Sequence, residues 1–113
     1  MYLMRRANGD LFTLSFDDRE YIAIWPEETS ARRFKSANSA LAVYWPVLID
    51  KNVVEKRLRK LPNQDNMKFW LLDDYDVSLD LENGRTAEWP EVLQAAGYAS
   101  DETAKQAAAP HSS

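Results

Sequence analysis

The sequence has 113 residues, of which 45% are apolar and 12% aromatic, so it is long enough to form one domain with its own core. The net charge of −4 disfavours a generic nucleic-acid binder. The absence of cysteine excludes disulfide scaffolds, thiolate zinc sites and cysteine nucleophiles, and no apolar run reaches the roughly 18 residues of a membrane helix. We therefore expect a cytoplasmic protein with no membrane association.

The first elements are predicted to form an antiparallel meander. Residues 2–5 and 11–16 are rich in apolar side chains, and an Asn-Gly pair between them predicts a hairpin because both residues tolerate positive φ. A second turn over residues 16–19 leads to a third strand, residues 20–25. The β-branched and aromatic residues of this third strand indicate that it is buried.

Two helices are predicted in the middle of the chain. A proline after the third strand supplies a helix-ready φ where its missing N–H costs nothing, so the first helix should span residues 27–37. Asp50 is a suitable N-cap for a second helix over residues 51–61. Between these helices, residues 39–45 fit a short helix, a strand or a connector, and residues 47–49 fit a brief strand or an extended segment.

A strand pair and a third helix are predicted further along the chain. Residues 67–72 are typical of a buried strand, and residues 75–82 alternate apolar and polar side chains, which is the clearest strand pattern in the sequence. A Trp-Pro pair opens a helix over residues 89–96, and Gly97 is expected at its C′ position.

Together these elements predict an α+β domain over residues 1–98. An antiparallel sheet, made of the N-terminal meander and the C-terminal strand pair, packs against about three short helices. Residues 99–113 are small and polar, and a helix there would have almost nothing apolar with which to dock. We expect this segment to be a flexible or weakly helical tail.

The order of the elements carries a resemblance. After the meander come a helix with Ala-x-x-Phe, an extended Pro-Val-x-Ile-Asp segment, a helix ending in Leu-x-x-Leu-Pro, a strand pair and a Pro-Glu-x-Leu helix. This order resembles a family of short, uncharacterised bacterial proteins catalogued as a domain of unknown function, and in plan it is similar to the SseB (enhanced serine sensitivity) proteins. The matching residues are Trp25, Pro26, Ala31, Phe34, Pro46, Val47, Ile49, Asp50, Leu58, Leu61, Pro62, Glu91 and Leu93.

The resemblance covers most of residues 11–95 and implies a bacterial, cytoplasmic α+β domain. It transfers no catalytic residue, because every matching residue is a packing or capping residue. The sequence departs from the family at Tyr44 and Trp45, where the family is more polar, and at the acidic corner of residues 73–76, which has no counterpart.

Aromatic side chains are the first candidate for a binding surface. Four tryptophans and five tyrosines exceed what a small core must use, so part of this aromatic surface should remain exposed. Aromatic residues are enriched at recognition surfaces, and Tyr44 and Trp45 are therefore candidates for a protein interface. Core packing and a small-molecule pocket are the alternatives.

The outer face of the second predicted helix is the only dense basic cluster in the sequence. Its cations are Lys51, Lys56, Arg57, Arg59 and Lys60. They could contact an acidic protein surface, a second copy of the chain or the phosphates of a nucleic acid. No aromatic residue lies among them to stack on bases, which favours the protein partner, and a solvated helix face is the alternative.

An acidic corner is the third candidate and consists of Asp73, Asp74 and Asp76, with Asp80 and Glu82 nearby. Such a cluster could bind a cation or a small ligand. Alternate strand residues lie about 6.5–7 Å apart, which is too wide for one magnesium ion without a further ligand. A solvated acidic sheet face and hydrolytic catalysis are the alternatives.

Enzymatic chemistry has little support in the sequence. Its single histidine, His111, lies in the predicted tail, and neither a catalytic triad nor a glycine-rich phosphate loop is present. We expect no catalytic residue, metal or cofactor.

The charge is divided unevenly along the chain. Residues 1–62 carry 11 Lys/Arg and 8 Asp/Glu, a net charge of +3, whereas residues 63–113 carry 3 and 10, a net charge of −7. With the aromatic surplus, this division favours a non-enzymatic protein-interaction or regulatory module that binds an unknown partner or itself. The alternatives are a ligand or cation site at residues 73–76 and weak nucleic-acid binding through residues 51–61.

Overall fold

The computed structural model describes residues 1–61, 68–72 and 79–98. Within these residues, six strands and three helices confirm the predicted α+β class. In chain order the elements are β1 (Tyr2–Arg6), β2 (Thr13–Phe16), β3 (Arg19–Trp25), α1 (Glu28–Ala37), β4 (Tyr44–Leu48), α2 (Lys51–Lys56), β5 (Lys68–Leu72), β6 (Gly84–Ala87) and α3 (Trp89–Ala95). Short 3-10 turns at Ser39–Leu41 and Leu58–Lys60 follow α1 and α2.

The strands form one mixed sheet in the order β4-β1-β3-β5-β6, with β2 also paired to β3. β1 and β2 occupy consecutive parts of the same edge of β3, since Leu3 pairs with Ile24 and Thr13 pairs with Ile22. This arrangement differs from a simple meander because β1 contacts β3 directly. β3 and β5 run parallel, and the other neighbours are antiparallel.

β3 is buried on both faces of the sheet, which explains its continuous apolar sequence. Ile22 and Ile24 belong to a core on one face, together with Val54 of α2 and Val92 of α3. On the other face, Trp25 packs against α1 in a second core. The described part of the molecule is therefore a central sheet with helices on both sides.

The first two helices lie close to their predicted positions, except at the end of α2. α1 begins one residue later than predicted. The Asp50 side chain caps α2 as predicted, accepting a hydrogen bond of 2.9 Å from the Val53 N–H. However, α2 ends at Lys56, because Arg57 leaves helical geometry and a 3-10 turn follows. The predicted single helix over residues 51–61 is therefore wrong beyond Lys56.

The second strand of the C-terminal pair lies later in the chain than predicted. Residues 75–78 of the predicted strand are outside the described residues. Residues 79–82 are not a strand, because Leu79 has a φ of 53° and the Asp80 side chain accepts the Glu82 N–H in a turn. β6 instead pairs with β5. Leu79 and Leu81 still pack against the second core, which accounts for the apolar alternation in the sequence.

α3 begins and ends close to the predicted positions. Its helical residues are Trp89–Ala95, and Gly97 has a φ of 104°. The Gly97 N–H donates to Gln94 O and the Tyr98 N–H donates to Leu93 O, both at 3.1 Å, which is the Schellman pattern. The predicted tail, residues 99–113, lies outside the described residues. Among the described helices, none has the length and apolar character needed to cross a membrane.

Candidate interaction surface

Exposed apolar side chains occur in β4 and in the turn just before it, at one edge of the sheet. In the described part of the chain, β4 pairs with β1 alone. The large apolar residues with exposed side chains are Val43 (52% exposed), Trp45 (52%) and Leu48 (48%). We call these three residues the β4 edge surface. Trp45 and Leu48 are three residues apart in β4, so their side chains point to opposite faces of the sheet, and the three exposed residues line this edge without forming one continuous patch.

Pro46 lies inside β4 and limits which backbone groups this edge can offer to another strand. Ile49 N–H donates to Met1 O at 2.9 Å, so alternate residues of β4 turn their backbone groups toward β1. By this alternation, the backbone groups of Tyr44, Pro46 and Leu48 face away from β1. The ladder with β1 therefore loses no donor at the proline. The outer edge lacks its central N–H and carries a pyrrolidine ring there, so another strand cannot extend the ladder across it.

The start of β4 is held by aromatic and cationic neighbours. The ring of Tyr44 makes an edge-to-face contact with Phe12, with 5.2 Å between centroids, and the Arg6 guanidinium lies 5.7 Å from the Tyr44 ring centroid. Lys35 Nζ donates to Ala42 O at 2.7 Å and lies 5.6 Å from the Trp45 ring centroid. The Trp45 indole is thus positioned beside a fixed cation while half of its surface stays exposed.

Of the two predicted aromatic site residues, Trp45 is exposed and Tyr44 is half-buried. The structure brings both to the β4 edge. Sequence reasoning missed Val43 and Leu48. Pro46 was the available signal, because a proline inside an extended segment indicates an edge strand.

The predicted basic cluster lies on α2 and the following 3-10 turn, and part of it makes contacts within the molecule. The cations of Lys51 and Arg59 lie 5.2 Å and 5.9 Å from the Tyr98 ring centroid. Arg59 also forms an ion pair of 3.0 Å with Glu55 and lies 5.8 Å from the Trp89 ring centroid. These two cations fasten α2 to the end of α3. Contact of Lys56, Arg57 and Lys60 with a protein or a nucleic acid stays a prediction.

A short hydrogen bond joins the same two elements. Tyr98 Oη donates to Glu55 Oε1 at 2.6 Å. This bond lowers the pKa of the Glu55 carboxyl, and the nearby Arg59 guanidinium lowers it as well. The bond also raises the pKa of the Tyr98 hydroxyl, because the neutral hydroxyl is the donor.

The acidic corner at Asp73, Asp74 and Asp76 lies outside the described residues, so its role in cation or ligand binding stays a prediction. Among the residues that the structure describes, no group of three or more His, Cys, Asp or Glu side chains could hold a metal ion.

A depression on α1 was not predicted from the sequence. It is open to solvent and has a volume of about 500 Å³. Its lining residues are Arg32, Arg33, Ser36, Ala37 and Leu79. Arg32 is paired with Glu28 at 2.7 Å, so its charge is already partly balanced.

Comparison with known proteins finds no relative of this chain. No family model matches it, and no curated protein or solved structure shows significant similarity. The resemblance to the short bacterial family and to the SseB proteins therefore stays a prediction.

Proposed function

We propose that this chain is a non-enzymatic protein-interaction module of the bacterial cytoplasm, and that it contacts its partner through the β4 edge surface. The observation that carries the proposal is the exposure of Val43, Trp45 and Leu48 at one sheet edge. Exposed aromatic anchors of this kind supply much of the binding energy in protein interfaces.

Covering Trp45 would supply a substantial part of that energy. The exposed half of an indole side chain amounts to on the order of 100 Å². Removing this area from water contributes about 2.5 kcal/mol. The contacts of Lys35 and Tyr44 hold the neighbouring surface in place, so little side-chain freedom would be lost on binding.

Pro46 makes the contact selective. An exposed apolar edge strand is prone to pair with other strands indiscriminately, and a proline on the outer edge prevents this. A partner must therefore recognise the side chains of the β4 edge surface and cannot rely on backbone pairing alone.

The test is an affinity capture from a bacterial lysate at low salt, in which three tagged proteins are compared by mass spectrometry. The baits are the unaltered chain, Leu48→Glu at the β4 edge and Thr86→Glu in β6 at the opposite edge. Thr86 is exposed and receives the same charge, so it controls for a general effect of one added carboxylate.

We expect the unaltered chain and Thr86→Glu to capture the same protein and Leu48→Glu to lose it. Circular dichroism of all three baits establishes that each is folded. If Leu48→Glu captures the protein equally well, or if the unaltered chain captures nothing and is a monomer by light scattering, the proposed function is wrong.

A further inference from the structure

Lys35, in the last turn of α1, reaches the segment that leads into β4. Its Nζ donates to Leu41 O at 3.3 Å and to Ala42 O at 2.7 Å. Carbonyl groups at the end of a helical turn lack an N–H donor within the turn, and a lysine side chain can supply one. Because two backbone oxygens hold the ammonium, its position is fixed relative to the residues that precede β4.

The same ammonium is the cationic neighbour of Trp45. Nζ lies 5.6 Å from the centroid of the Trp45 ring, which is within the distance of an attractive cation–π contact. Among the described residues, each of the other three tryptophans packs against an aromatic ring, whereas Trp45 packs against none. The Lys35 ammonium therefore takes the place of a ring neighbour for the exposed indole.

Other contacts hold the backbone before β4. Leu41 is fully buried in the second core. The Asn38 side-chain amide donates to Phe34 O at 3.0 Å and to Leu79 O at 3.1 Å. These anchors stay in place when Lys35 is changed. Loss of the ammonium should consequently act on the indole beside it and leave the fold intact.

We infer that Lys35 is a positioning residue for the β4 edge surface, and that it fixes the Trp45 indole before a partner binds. The importance of this role for binding rests on the proposed function. A side chain that is already held in one orientation loses less freedom on binding, so a fixed indole favours association. Through Lys35, α1 contributes to a recognition surface that lies on β4.

The test measures the Trp45 side chain directly and needs no partner. The full chain is labelled with fluorotryptophan, so that each of its four tryptophans gives a fluorine NMR signal. Trp45→Phe identifies the Trp45 signal. Lys35→Met removes the charge and the hydrogen-bond donors, and Lys35→Arg keeps both. The matched control is Lys56→Met, a change of an exposed lysine on α2.

We expect Lys35→Met to narrow the Trp45 signal and to shift it toward its position in the urea-unfolded chain, because the ring gains freedom. The other three signals should keep their positions, since those tryptophans belong to or pack against the two cores. In Lys35→Arg the Trp45 signal should stay in place, because a guanidinium also donates to carbonyls and stacks on aromatic rings. Lys56→Met should leave all four signals unchanged.

Three spectra overturn the inference. The first is an unchanged Trp45 signal in Lys35→Met. The second is an equal shift in Lys35→Arg and Lys35→Met, which would show that the cation does not hold the ring. The third is a shift of all four signals in Lys35→Met, which would show a general structural role for Lys35.

The lysate capture connects this role to binding. As a bait, Lys35→Met should recover about two- to tenfold less of the partner than the unaltered chain does, the cost of ordering one side chain on binding. Equal recovery by both baits would overturn the inference. If the unaltered chain captures nothing while the Trp45 signal responds to Lys35→Met as expected, the proposed function is wrong and the positioning of Trp45 by Lys35 stands.

Discussion

Gly84 is the first residue of β6. Its backbone lies against the Trp70 side chain and the Leu71 carbonyl of the neighbouring strand β5. A Cβ added there would be 2.5 Å from Trp70 Nε1 and 2.6 Å from Leu71 O. Trp70 Nε1 also donates to Leu81 O at 3.1 Å, which fixes the indole in place. The lack of a side chain at this residue lets β6 begin directly after the preceding turn.

We expect Gly84→Ala to destabilise the protein by about 1–3 kcal/mol, because the new methyl group must displace the Leu71 backbone or the held indole. The measurement is urea unfolding followed by tryptophan fluorescence. Thr86→Ala, an exposed change in the same strand, serves as the control and should shift the midpoint little. An unchanged midpoint for Gly84→Ala would show that β5 and β6 can separate freely at this point.

Residue roles that depend on near neighbours in the chain were predictable. Asp50 as an N-cap and Gly97 as a C′ residue follow from local geometry, and the structure confirms both. The buried Nε of Arg5 and the positive φ of Leu79 were not predictable, because each depends on residues brought together by the fold. The β4 edge surface falls between these cases: Trp45 was identified, whereas Leu48 required knowledge of the strand register.

Among the elements, the stability of α2 depends on the capping hydrogen bond between Asp50 and the Val53 N–H. It has only six residues, and its sequence alone would not hold such a short helix in water. The Asp50 cap stabilises its first turn, and the buried side chain of Val54 anchors it to the sheet. Its length was overpredicted because the apolar spacing continues to Leu58, which the 3-10 turn buries equally well.

We expect Asp50→Ala to destabilise the protein by about 1 kcal/mol, because the Val53 N–H loses its acceptor. Asp50→Asn should be nearly neutral, since an amide oxygen caps a helix about as well as a carboxylate does. Thermal unfolding followed by circular dichroism distinguishes the two variants, with Asn52→Ala on the exposed side of α2 as a control. If Asn proved as costly as Ala, the charge of Asp50 and not its hydrogen bond would be the stabilising feature.

On the scale of the described part of the molecule, contacts between segments far apart in the sequence hold the fold together. The parallel pairing of β3 with β5 joins the two parts of the sheet, and the bond between Tyr98 and Glu55 joins α3 to α2. The sequence pattern predicted the class of fold, because apolar alternation and helix caps are local. It could not predict the strand order, since β1 pairs with both β3 and β4 across long stretches of chain.

The bond between Tyr98 and Glu55 should make stability depend on pH in two ranges. The raised pKa of Tyr98 means that the bond stabilises the fold fully below the unfolded-state value of about 10, and that this stabilisation is lost as pH rises through the folded-state pKa. The lowered pKa of Glu55 acts in the opposite range: its contribution is present above the unfolded-state pKa and is lost as pH falls through the folded-state value.

We expect Tyr98→Phe to lower the melting temperature at neutral pH by a few degrees at most and to flatten the loss of stability at alkaline pH. Melting curves across the pH range, compared with those of Tyr2→Phe in β1, measure this effect. Alkaline curves of the same shape for Tyr98→Phe and the unaltered chain would show that the Tyr98 hydroxyl does not couple α2 to α3.

The parallel pairing of β3 with β5 also has a consequence for folding during synthesis. β1 and β2 pair with one edge of β3. The other edge pairs with β5, which begins at Lys68 and is therefore synthesised later. A nascent chain that has emerged from the ribosome only as far as residue 61 therefore presents the most apolar strand of the sheet with one edge unpaired. We expect such an intermediate, and a product truncated at that point, to be prone to aggregation.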